Sequence, residues 1–200
     1  MKTPVNFQGI FTGGFRMEEL KDFSLMSEFM IADPDSLTKS LKDIEFMIRH
    51  SREYKAWVAY VYTTFPILES DMLKGVDLTG CENITTDVHH IVTLADITFS
   101  VGMRMIDRHD EGVTDFDIAK EVIRLHMDDE VLCVALTRSL HEAAHAKLYA
   151  ITKDTPCVHI GKAQRFVDEY GYWMDPEMLA EYGKFGIKYN EEAENEAAKA

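Results

Sequence analysis

The chain has 200 residues, 46% of them hydrophobic and 28% charged, with a formal net charge of −14. That length suits one domain with a substantial core, and the composition is that of a globular protein. The acid excess argues against a nucleic-acid partner held by overall charge alone. The longest nearly uncharged apolar run, Ala56 to Leu68, is broken by Thr63, Thr64 and Pro66 and falls short of the ~18 apolar residues of a membrane span. Met1-Lys2-Thr3-Pro4-Val5-Asn6 lacks the apolar core of a signal peptide. Cys81, Cys133 and Cys157 are odd in number, far apart and free of any C-x-x-C, so neither a disulfide framework nor a cysteine zinc knuckle is expected. A reducing cytoplasm is the expected compartment.

Taken in chain order, residues 1–32 form a weakly patterned N-terminal segment, with a turn at Phe11-Thr12-Gly13-Gly14-Phe15. The main domain is expected over 33–186. Asp33-Pro34 supplies a helix start, and Leu37, Leu41, Ile44, Met47 and Ile48 follow at helical spacing. A second helix carries Tyr54, Trp57, Val58 and Val61 on one face. Both stripes read as core. Asp71 to Thr86 reads as loop, and Thr85 to Ile91 as a short strand ending in His89-His90. Helices are expected from Leu94 to Arg108 and from about Asp115 to His126, with a turn at Asp110-Glu111-Gly112 between them. Val131 to Leu136 reads as a buried strand, followed by a helix capped by Thr137 or Ser139 and running towards Ile151. Asp175-Pro176-Glu177 opens a last short helix, and 187–200 reads as an acidic, disordered tail. The fold class is therefore α+β: a mostly helical single domain around a small ββα unit, with a helical insertion between its two strands.

Charge is unevenly spread. From Arg138 to Arg165 five basic residues stand against two acidic ones, a window of +3 that leaves −17 for the rest. Arg138 and Lys147 in that window are candidate phosphate contacts.

Histidine placement carries the chemistry. His89-His90 ends a strand, and His141 and His145 lie four residues apart, on one face of a helix. Together they supply metal ligands and a spare base, the equipment of a metal-dependent hydrolase. His126 shares a helical stripe with Ala119, Val122 and Ile123 and reads as a partly buried structural residue, while His50, His109 and His159 read as surface. His141-Glu142-Ala143-Ala144-His145 also matches the zinc-protease pattern H-E-x-x-H, with Glu142 as base. That reading needs a third ligand from further along, such as Glu169 or Glu177, and gives the doublet no task.

The blocks Val88 to Ile97, Asp117 to His126 and Val134 to His145 resemble the HNH endonucleases, and in particular the small members encoded by bacteriophages. The resemblance extends over roughly residues 40 to 185. It implies a metal-dependent DNA endonuclease acting in the host cytoplasm, with His90 as general base and one divalent ion (Zn²⁺, Ni²⁺, Mn²⁺ or Mg²⁺) on His89, His141 and His145. It departs from that family in having no asparagine between His90 and His141, so a base-orienting role falls to Asp96, His126, Asp128 or Asp129. Two other readings stand beside it: a nuclease-like fold serving as a phage binding or virion protein, and the zinc protease.

Overall fold

The computed structural model describes residues 34–64, 86–108, 112–155 and 157–190. The expected turns at Phe11–Phe15 and Asp110–Glu111, the Asp33 cap, most of the 71–86 loop, Cys81, His109 and the tail beyond Asn190 lie outside those residues.

Two helices open the described fold, α1 (Pro34–His50) and α2 (Arg52–Thr64). The α1 stripe buries Ile44 and Ile48, and the α2 stripe buries Tyr54, Trp57 and Val61, so both apolar faces do serve the core. Strand β1 (Thr86–His90) is followed by α3 (Leu94–Arg108) and α4 (Asp115–Met127). Thr114 starts α4 with a reciprocal cap: its hydroxyl accepts from the Asp117 amide, and the Asp117 carboxylate accepts from the Thr114 amide. Next come β2 (Cys133–Thr137), α5 (Arg138–His145) and β3 (Val158–Ile160), then α6 (Gln164–Tyr170), a 3₁₀ turn (Gly171–Trp173) and α7 (Pro176–Gly183). Asp175 caps α7 by accepting from the Met178 amide, as its sequence predicts.

The sheet is antiparallel in the order β1-β2-β3, with His89 opposite Val134 and His90 opposite Cys133. Alternation splits β2 between two cores. Cys133 and Ala135 join the large core built with α1 to α4, α6 and α7, while Val134 and Leu136 join a small one with Ile151, Leu140 and Ala144. Each fully buried aliphatic or aromatic side chain contributes about 1.5–3 kcal/mol, so most of the stability lies on the larger side.

The α+β class and the mostly helical content agree with the sequence reading, and α3 and α4 are the helical insertion between β1 and β2. Three details differ. β3 and α6 are additional elements. The second strand begins at Cys133 because Val131 and Leu132, although buried, precede the ladder. Finally, α5 stops at His145 instead of running towards Ile151. Lys147 adopts left-handed backbone (φ 57°), its amide donates to Ala144 O, and the Leu148 amide donates to Ala143 O, which closes the helix.

Among the described residues no helix is long and apolar enough to cross a membrane.

Candidate metal centre

Strand alternation sends the two histidines of the doublet to opposite faces of the sheet. His89 faces α5, where His141 and His145 project from one side of a helix that follows β2 without a loop. One potential ligand atom from each of His89, His141 and His145 lies within 4.8 Å of the others. The Nε2 atoms of His141 and His145 are 3.0 Å apart. For comparison, a tetrahedral ion with bonds of about 2.0 Å places its ligand nitrogens roughly 3.3 Å apart. The three rings meet edge to face, with centroids 4.5 to 5.3 Å apart. His89 Nδ1 is buried without a hydrogen-bond partner.

His89 and His141 are biased towards the neutral form, the one a metal needs. Burial pushes His89 down to about 4, and the neighbouring His145 and His141 add to the shift. His141 is lowered by burial and by His145, and raised in opposition by the carboxylates of Asp87 and Glu142. Asp87 sits two residues before His89, its carboxylate 3.6 Å from His141 Nδ1 and 3.5 Å from Arg138 Nε. The three histidines border a cavity of about 730 Å³ whose rim includes Arg49, Asp96, Lys147 and Glu177.

His90 takes the other face. Its Nε2 lies 3.0 Å from Nε2 of His126, whose Nδ1 is 2.6 Å from the Val122 carbonyl oxygen. A carbonyl only accepts, so His126 carries its proton on Nδ1 and its Nε2 accepts a hydrogen bond donated by His90 Nε2. Burial lowers both rings, His126 to about 4, and they pack with Tyr54 and Trp57 edge to face against His126. The atom expected to serve as a base is thus engaged with the helical core, although His90 also borders the cavity. Of the residues nominated to orient it, His126 is the one in contact. Asp96 is occupied at the start of α3, accepting a 2.6 Å hydrogen bond from Thr93. Asp128 pairs with Arg124, and the Asp129 carbonyl accepts from the Lys162 amide.

Arg138 points to Asp87, and Lys147 is exposed and makes no ion pair among the described residues. His50 and His159 are exposed, as expected. Glu142 is exposed on α5, and Glu169 is paired with Arg104; the group that converges with His141 and His145 is His89 of the strand. The sequence reading passed over Asp87. Its signal was the two-residue spacing from His89, which puts both side chains on the same strand face.

A strand and a helix that bring three histidines together make a candidate metal site; the family is narrower. The model of the Bacteriophage G278-like virion proteins matches residues 14–199, and the chain belongs to that family. Neither a curated protein nor a solved structure matches it. Membership corrects three expectations. The family is a virion family and not the HNH endonucleases, so the resemblance over residues 40 to 185 did not identify it. The nuclease assignment rested on that resemblance, and the virion family supports neither it nor the hydrolase reading of the histidines. The phage particle replaces the host cytoplasm as the location that the family indicates. The physical reason is that a small ββα unit is a scaffold, and a scaffold does not fix what is done on it.

Proposed function

We propose that this chain is a structural component of the phage particle in which one divalent transition-metal ion, bound by His89, His141 and His145, staples β1 to α5. The observation that carries the reading is the convergence of three imidazoles from a strand and a helix within 4.8 Å. More than fifty residues separate the strand ligand from the helix ligands, so a bound ion closes a long loop and stabilises the native state by mass action. Three neutral nitrogen donors suit Zn²⁺, Co²⁺ or Ni²⁺ better than the oxygen-seeking Mg²⁺ or Mn²⁺.

Two measurements test this. Purified particles should yield peptides of this chain by mass spectrometry. The recombinant protein should take up about one Zn²⁺ per chain near neutral pH, with a rise in melting temperature that EDTA reverses. Uptake that is absent, or that persists when His89 and His145 are both alanine, would remove the metal from the reading. Absence of the chain from particles would remove the structural role.

A further inference from the structure

Asp87 has no part in the large core and is not one of the converging ligands, yet it stands behind one of them. His141 Nε2 faces His145 Nε2 at 3.0 Å, so its other nitrogen, Nδ1, points away from the cluster. The atom it meets there is Asp87 Oδ2, at 3.6 Å. On the far side of that oxygen lies Arg138 Nε at 3.5 Å, from the first residue of α5. Asp87 and His89 share a face of β1, and Arg138 and His141 share α5, so one carboxylate links the two elements that a metal would join.

We propose that Asp87 is the positioning residue of the metal centre. A small closing of the 3.6 Å between its carboxylate and His141 Nδ1 on metal binding lets it accept from Nδ1–H, fixing the tautomer that leaves the Nε2 lone pair for the ion and making that lone pair more basic. A metal-bound histidine commonly gives its outer N–H to a carboxylate, and loss of such a partner typically costs 10–100-fold in metal affinity. The inference rests on the metal reading above and adds to it a residue that touches no metal.

Zn²⁺ titration of the full chain tests it, comparing wild type with Asp87→Asn and Glu142→Gln. Both variants delete one negative charge near His141, since Glu142 also acts on that ring. Only Asp87 is positioned behind Nδ1. Asp87→Asn should weaken Zn²⁺ binding about 10–100-fold and shift the visible spectrum of the Co²⁺-loaded protein. Glu142→Gln should leave the spectrum unchanged and the affinity within about threefold, the scale of an exposed charge. Equal losses in the two variants would reduce Asp87 to a through-space charge and overturn the proposal, as would an Asp87→Asn protein that binds like wild type. A second observable needs no variant: nitrogen-15 spectra of the Zn²⁺-loaded wild type should show His141 protonated at Nδ1, and protonation at Nε2 would refute the assignment. If wild type takes up no Zn²⁺ at all, the metal reading itself fails, a result distinct from either of these.

Discussion

His89 and His90 are consecutive residues with opposite surroundings. His90 faces a core of helices, where it pairs with His126 under Trp57 and Tyr54, and its ring nitrogen bonds protein. His89 faces a short helix and two more histidines, and its Nδ1 is buried without a partner. One sheet thus separates a face where two rings bond each other from a face where three imidazoles converge on a space an ion would fill. Buried polar atoms are nearly always satisfied, so the unpartnered one is the informative member of the pair.

The two faces should differ most in what they contribute to stability. Phe166 is fully buried in the large cluster, and Phe166→Ala should cost about 3–5 kcal/mol through lost burial and a residual cavity. His145→Ala, on the exposed end of the other face, should change the stability of the metal-free protein by less than about 0.5 kcal/mol. Denaturant unfolding of both variants in EDTA measures the gap. Comparable losses would mean that the α5 face also carries the fold.

Metal should narrow that gap. At a free Zn²⁺ concentration one hundred times its dissociation constant, wild type should gain about 2.7 kcal/mol, and the His89→Ala, His145→Ala double variant should gain nothing. Thermal melts with and without EDTA read the difference directly. A gain retained by the double variant would place the ion elsewhere.

Acid should weaken both faces as the pH falls below the ordinary histidine value of 6.5. His126 and His89 are each lowered to about 4 in the folded protein, against an ordinary value of 6.5. Between those values the unfolded chain binds more protons than the folded one, so stability falls as pH drops from about 6.5 towards 4. His126→Gln keeps a hydrogen-bonding partner for His90 and removes one titrating group, so its stability in EDTA should depend less steeply on pH across that window. A slope identical to wild type would show that His126 is not among the groups responsible.

Much of this architecture is legible in residue spacing. The α1 and α2 stripes, the split of a strand doublet and the shared helix face of His141 and His145 all follow from periods of 3.6 and 2. The fate of His90 does not, because its partner lies on α4, thirty-six residues away, and only packing reveals which face of β1 meets the core. Asp87 was hidden for a related reason: it acts through His141 on another element. β3 has three residues and pairs through backbone atoms, which leaves little side-chain pattern to read. Histidine spacing also pointed to the wrong family, because identical ligand geometry can stabilise a particle protein or serve catalysis, and the spacing of ligands does not distinguish the two.

The smallest effect concerns how α5 ends, and it bears on Lys147. Nominated as a phosphate contact, Lys147 occupies the left-handed position that closes the helix two residues after His145, with φ of 57°. A side chain there crowds its own backbone, and glycine does not. The two closing hydrogen bonds, from the Lys147 and Leu148 amides to Ala144 O and Ala143 O, use only main-chain atoms and survive the substitution. Lys147→Gly should therefore stabilise the metal-free protein by about 0.5–1 kcal/mol, the usual gain when a strained left-handed residue gives way to glycine despite glycine's looser unfolded state. Because the helix would then stop at the same place, the spacing of His141 and His145 and the Zn²⁺ affinity should stay as in wild type. A destabilised Lys147→Gly protein would show that the lysine side chain, and not the backbone turn, holds the end of α5, and would return Lys147 to the residues that act through their charge.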